Sequence, residues 1–206
     1  MLRVANYRKH YGSLLVLDIP ALFLNKGIYW FKGVNGAGKT TLIKSIAGLI
    51  PFEGEVLIGD FPVRQQRAEY LKIINYAEAE PLYPSFLTGN DLLNFYFNTK
   101  GGDRRSAERL INAFGMGPYL KNEVGTYSSG MAKKLSLLLA FVGHPALILL
   151  DEPFITLDAE AVDFLHQHIS EIYSSGVSLC ISSHQPLAIN EPFRTLHIHD
   201  QKAELL

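Results

Sequence analysis

Cysteine is nearly absent from this sequence. Cys180 is the only one in 206 residues, which excludes an intrachain disulfide and makes a reducing compartment the easier setting. Its place in an apolar strand reads as inert packing. A surplus of either charge is also missing: 19 Lys and Arg stand against 20 Asp and Glu, for a net charge of −1, and the basic residues are scattered. That excludes the cationic face on which binding to a phosphate backbone depends, so no nucleic-acid partner is expected. There is no low-complexity tract, repeated motif or long like-charge run to mark a linker or tail. The most apolar region, Leu135 to Leu150, is interrupted by His144-Pro145 and ends at Asp151, short of a membrane span. The opening Met1-Leu2-Arg3-Val4-Ala5-Asn6-Tyr7 has no signal-peptide apolar core. A soluble chain is therefore expected, with any membrane role coming through a partner.

What is present is enough apolar sequence, 48% of residues, to bury one full core. The chain is organised around Gly33-Val34-Asn35-Gly36-Ala37-Gly38-Lys39-Thr40-Thr41, which satisfies the phosphate-binding pattern G-x-x-x-x-G-K-[ST] in full. Backbone N–H groups can curl around a phosphate only where side chains do not block them, hence Gly36 and Gly38. Lys39 supplies a mobile charge for the β and γ phosphates, and the hydroxyl of Thr40 suits Mg²⁺. The helix that opens here points its positive end at the same anion. The flanks fit: Ile28-Tyr29-Trp30-Phe31 reads as a strand, and Leu42, Ile43, Ile46 and Leu49 recur at helical spacing. This is a nucleotide-binding protein. A GTPase would also carry an Asn-Lys-x-Asp motif, and Asn25-Lys26-Gly27-Ile28 lacks the aspartate and precedes the loop.

Strands are predicted at Leu14 to Ile19, Ile28 to Phe31, Glu55 to Ile58, Ile73 to Tyr76, Ala146 to Leu150, Val177 to Ile181 and, last, Arg194 to His199. Helical spacing appears at Thr41 to Leu49, Asp91 to Phe97, Ala107 to Phe114, Met131 to Val142 and Glu160 to Tyr173. Strands alternating with helices predict an α/β nucleotide-binding core with a parallel sheet. The segment between Pro84 and Pro145 reads as a helical insertion. One domain is expected, with the core at 1–83 and 146–206 and a helical subdomain at 84–145.

Ala146 to Leu150 is apolar at every position, as suits a strand covered on both faces, and runs into Asp151-Glu152-Pro153. A carboxylate there lies at the carboxyl edge of the sheet beside the phosphate loop, where Asp151 can hold Mg²⁺ and Glu152 can orient or deprotonate an attacking water. Tyr127-Ser128-Ser129-Gly130-Met131 opens a long helix 21 residues earlier. Taken alone it reads as an N-cap. His197 and His199 alternate on one strand face, and two ligands without a third make a weak metal site.

Taken together, the phosphate loop, helical insertion, Ser128 segment, Leu147-Ile148-Leu149-Leu150-Asp151-Glu152-Pro153 and the later Ile181-Ser182-Ser183-His184 resemble the ATP-binding cassette (ABC) ATPase family, over about Arg3 to Ile198. The resemblance implies the ABC ATPase fold, with a parallel-sheet core, an N-terminal antiparallel β part and the helical insertion. It implies that Tyr11 stacks on adenine and that Ser128 and Gly130 contact the γ-phosphate held by the other protomer of a head-to-tail dimer. Asp158 matches the loop coupling the two sites, and His184 the histidine that senses the γ-phosphate and positions water with Glu152. The implied cofactors are ATP and Mg²⁺. The implied partners are a second cassette, identical or not, and a separate transmembrane permease, with the chain cytoplasmic and peripheral on the inner face of the cell membrane. Shortness resembles compact exporter-type subunits, including those of heme exporters. Two alternatives stand beside this: a soluble non-transport ABC ATPase, and a catalytically weak nucleotide-gated regulatory module. The sequence departs from the family where Ser129 replaces a glycine, Met131 stands where Gln is frequent, and Ala79 occupies the place of a Mg²⁺-touching Gln. Either the metal loses a ligand there, or Glu78 or Glu80 substitutes for that Gln.

Overall fold

The computed structural model describes residues 1–206. Its first strands form an antiparallel sheet. Strand β1 (Leu2–Tyr11) pairs with β2 (Leu14–Leu24) on one side and β4 (Glu53–Ile58) on the other, and short β5 (Phe61–Pro62) closes the order β2-β1-β4-β5. Pro20 does not end the strand as its lack of an N–H predicts; β2 runs through it. The reason is that β2 is an edge strand, where a missing donor faces solvent. Opposite it, Asn6 adopts φ 49, and the close approach of its carbonyl leaves room only for a glycine at Gly54, where a Cβ would meet Asn6 O at 2.1 Å.

The second sheet has the order β10-β9-β3-β8-β7-β6, from β3 (Ile28–Lys32), β6 (Ile74–Ala77), β7 (Leu147–Asp151), β8 (Ser178–Ser182), β9 (Phe193–His199) and β10 (Lys202–Leu205). All neighbours are parallel except β10 on β9, so the sheet is mixed. Arg194 to His199 is thus not the last strand: a hairpin at Asp200 and Gln201, both at positive φ, adds β10.

Side chains of this sheet alternate between two cores. Tyr29, Phe31, Leu147, Leu149 and Cys180 point into the core shared with the antiparallel sheet and α1 (Lys39–Ile46). Ile28, Ile148, Leu150, Leu179 and Ile181 point the other way, against α5 (Ser129–Ala140) and α6 (Ala159–Ser174). Both faces are covered, which is why these strands are apolar throughout. The helices α3 (Gly89–Lys100) and α4 (Arg104–Ala113) continue the second core beyond the sheet, and a short α2 (Arg67–Lys72), whose length hid it from periodicity, precedes β6. Helix α5 is tied to the sheet by Asn75, whose buried Nδ2 donates to the carbonyls of Ala140 and Val142 at the helix end. No helix is long and apolar enough to cross a membrane.

Candidate functional site

The phosphate loop leaves the carboxyl end of β3 and enters α1. Gly38 caps the helix at φ 104 and Gly36 lies at φ 80, conformations that place successive N–H groups on the inside of the curve. Gly33 is required for a different reason: a Cβ there would lie 2.4 Å from the carbonyl oxygen of Ile198 in β9. Lys39 Nζ donates to the carbonyls of Gly33 (2.8 Å) and Val34 (3.2 Å), and Ala37 N donates to Val34 O.

Register brings the acidic group to this loop. Asp151 ends β7 opposite Ser182 of β8, and its carboxylate is fully buried. Its Oδ1 accepts from Ser182 Oγ at 2.5 Å and from Thr40 Oγ1 at 3.2 Å, while Oδ2 has no partner. A buried bare carboxylate oxygen beside a hydroxyl is a hard-oxygen donor set, and these residues fit Mg²⁺. Glu152 follows at φ 45. Its N–H donates to Ser182 Oγ (3.0 Å) and Ser182 O (3.2 Å), and its Oε2 accepts from the His184 backbone N–H at 3.3 Å. His184 Nε2 approaches Oε1 of the same carboxylate to 3.3 Å without the alignment of a hydrogen bond.

A cavity of about 200 Å³ is lined by Asn35, Gly36, Gly38 to Thr41, Glu152 and His184. It therefore brings together residues that lie far apart in the chain. Tyr11, Ser128, Gly130 and Asp158 do not line it. Tyr11 ends β1 with 51% of its surface exposed, and Lys9 Nζ sits 4.6 Å from its ring centroid. Ser128 caps α5 and accepts from Met131 N (3.2 Å). Gly130 packs on the loop before α6, where a Cβ would come 3.1 Å from Thr156 O. Asp158 caps α6 through Ala161 N and is paired with Lys134 at 2.5 Å, contacts that hold its carboxyl below the ordinary range.

Neither Glu78 nor Glu80 lines the phosphate cavity. Glu78 instead borders a separate groove of about 190 Å³, with Tyr76, Tyr83, Tyr96 and Lys100. Leu82, which also lines it, is exposed at 91%, and Phe86, four residues on, at 72%.

Two contributors are not evident from sequence alone. Ser182 stands out there only as part of the segment before His184, and nothing but register reveals that it bridges Asp151 and Glu152. Lys133 is 1% exposed, and its Nζ donates to Glu78 O (2.6 Å), Asp151 O (2.8 Å) and Ala79 O (3.4 Å). Burial pulls its ammonium down to about 8, against the carboxylates of Asp151, Glu152 and Glu78, which push it up. The signal in the sequence is its helical spacing: it shares a face with the buried Ser136, Leu137 and Ala140.

Known proteins share this outline. A family model described as ABC transporter matches residues 22–155. The chain is 32% identical over 186 residues to the lantibiotic transport ATP-binding protein SrtF of Streptococcus pyogenes, covering 89% of this chain and 80% of that protein. It is 28% identical over 191 residues to the linearmycin resistance ATP-binding protein LnrL of Bacillus subtilis (strain 168), covering 89% of this chain but 61% of that protein, so it spans less than two thirds of that relative's length. A solved structure of the ATP binding subunit of an ABC transporter is similar with a TM-score of 0.87 and 25% identity, over 98% of this chain and 88% of that one.

Proposed function

The chain belongs to the ABC transporter family of ATP-binding cassettes, and we propose that it binds and hydrolyses Mg-ATP to power a separate membrane permease. The observation that carries this is the cavity in which the phosphate loop faces Glu152 and His184, with the Asp151 carboxylate bonded through Oδ1 to the Thr40 hydroxyl and its Oδ2 bare.

Each residue then has a chemical task. The loop amides from Val34 to Thr41 and the N-terminus of α1 hold the phosphates, and Lys39 exchanges its loop carbonyls for β and γ oxygens. Thr40 and Asp151 hold Mg²⁺, which when bound neutralises charge on the phosphate oxygens. Glu152 orients a water for in-line attack on the γ-phosphorus and receives its proton, while the bond to the bridging oxygen breaks and ADP keeps the electron pair. His184 holds the water and the γ-phosphate from the other side. Tyr11 supplies a flat face for adenine, its other face taken by Lys9.

Ser128 and Gly130 do not line the cavity. Ser128 Oγ accepts from its own helix, which leaves its O–H and the first amides of α5 to donate to an anion. A second cassette, placed head to tail, would bring those groups over this ATP, with Asp158 at the junction. ATP then closes the dimer and hydrolysis opens it. The groove beside Glu78 and the exposed Leu82 and Phe86 support docking of an amphipathic segment of the permease, which would hold the chain at the inner face of the membrane. The relatives named for lantibiotic transport and linearmycin resistance support export over import.

The test is purification from detergent-solubilised membranes of the native source. A polytopic protein that co-purifies and stimulates Mg-ATP hydrolysis is the expected result. A chain that hydrolyses ATP undiminished and brings down no membrane protein would refute the transport reading and leave a soluble cassette.

A further inference from the structure

Lys133 is a charge placed where an apolar side chain would serve packing equally well. Removing it alone would leave buried carbonyls without their donor, and packing by itself does not account for an ammonium here. Its three acceptors do. Two of them, Glu78 O and Ala79 O, belong to the loop after β6 that borders the groove; the third, Asp151 O, is the carbonyl of the peptide that joins Asp151 to Glu152.

That peptide is gripped on both sides. Its C=O accepts from Lys133 Nζ at 2.8 Å, and its N–H donates to Ser182 Oγ at 3.0 Å. Rotation of the peptide plane would change ψ of Asp151 and φ of Glu152, which already holds φ 45, a value non-glycine residues rarely adopt. Lys133 also links three parts of the molecule: it sits on α5, the helix whose N-cap is Ser128, and reaches both the acidic strand end and the loop at the groove. Ala79, in that loop, has no polar side chain to make such a link itself.

We propose that Lys133 is a positioning residue for hydrolysis, holding the Asp151–Glu152 peptide so that the Glu152 carboxylate faces the phosphate loop, and tying that peptide to the 78–79 loop and to α5. The inference rests on the ATPase reading above. Lys133 touches no substrate; it acts through Glu152. Movement of the groove loop is thereby felt at Glu152 through one ammonium rather than through a side chain at position 79.

The test compares Lys133→Met, which keeps length and loses the donors, with Lys133→Arg, which keeps charge and donors, in the full chain. Two readouts are used: steady-state hydrolysis of Mg-ATP, and amide hydrogen exchange of the nucleotide-free protein. For Lys133→Met, kcat falls about 10²-fold, as for a reacting group displaced by about an ångström, while KM for ATP stays within about threefold because the phosphate loop is untouched. Exchange quickens at residues 78–80 and at the Glu152 amide, not across α1, and Lys133→Arg restores both readouts in large part. A Lys133→Met protein with wild-type kcat and wild-type exchange would overturn the proposal. So would failure of both variants to fold, which would make Lys133 a folding residue only. If the wild-type chain hydrolyses no ATP, the ATPase reading fails by itself, and the exchange comparison still decides whether Lys133 holds the two segments together.

Discussion

Ser182→Ala removes one oxygen that serves two neighbours at once. Ser182 is fully buried; its Oγ donates to Asp151 Oδ1 at 2.5 Å and accepts from Glu152 N at 3.0 Å. Glu152 N keeps a second acceptor in Ser182 O at 3.2 Å, so that half of the loss is small. Asp151 is left with the longer contact to Thr40 at 3.2 Å, and its Oδ2 had no partner to begin with. The loss is therefore one short hydrogen bond to a buried carboxylate, about 2 kcal/mol for a charged acceptor. At about 2–4 °C per kcal/mol for a domain of this size, the midpoint of thermal unfolding should fall by about 4–8 °C. Urea denaturation should show a lower midpoint with an unchanged slope, because the surface exposed on unfolding is the same. Ser183→Ala is the control, since Ser183 Oγ only accepts from Gln185 N. A Ser182→Ala loss under about 0.5 kcal/mol, no larger than for an ordinary surface change, would refute the idea that Ser182 supports the Asp151 carboxylate.

Lys39→Ala should weaken ATP binding itself, measured by equilibrium dialysis or calorimetry; unaltered affinity would contradict the phosphate-loop assignment. Glu152→Gln should retain ATP affinity but lose about 10²- to 10⁴-fold in turnover, the contribution of a base-like group, and wild-type turnover in single-turnover assays would remove Glu152 from the mechanism. Asp158 has its pKa depressed chiefly by Lys134 and then by Ala161 N, so its ionised form is favoured in the folded state. Its contribution is present above the unfolded value of about 3.9 and fades as pH falls through the lower folded value. Asp158→Asn, which still caps a helix, should thus be less stable than wild type at neutral pH and match it in acid; a difference that stays constant across the titration would exclude the charge as the cause.

The outline of the fold was legible because its parallel strands are covered on both faces. Leu147 to Leu150 and Ser178 to Ser182 are entirely buried, and a short run of this kind, bounded by turn residues, fits few settings besides the middle of a sheet. The loop from Gly33 to Thr41 announced itself because its backbone geometry tolerates few residue types. What stayed hidden depends on partners rather than on local pattern. Pro20 argued against a strand that forms because β2 lies at an edge. Strand β10 is short and mostly exposed, so it has little apolar periodicity to read. Ser182 and Lys133 look like an ordinary strand end and an ordinary helix lysine until register and packing set them against Asp151 and Glu152. Glu78, offered with Glu80 by the resemblance as one possible substitute for an absent glutamine, borders the groove and not the phosphate cavity.

The helix ends of this chain carry a further regularity. Helices α3, α4 and α6 begin with a carboxylate at the cap or in the first turn: Asp91, Asp103, and Asp158 with Glu160; the short α2 has Glu69. Each positive helix end is thus compensated within the chain. Only α1, capped by Gly38, and α5, capped by Ser128, have neither. The phosphate cavity accounts for α1. For α5 packing gives no reason, since Ser129 is exposed and a carboxylate there would meet solvent. Helix stability alone would favour an acid at this position by about 0.3–1 kcal/mol. Ser129→Asp should therefore raise the thermal midpoint of the nucleotide-free chain slightly while opposing ATP-driven dimerisation, because it sets a negative charge against the partner's γ-phosphate. Measured by light scattering in Mg-ATP on a Glu152→Gln background, dimer affinity should fall by about tenfold or more, as like charges at an interface require. The opposite signs distinguish the two roles: a variant that gains stability and dimerises as before would show that the end of α5 meets no phosphate.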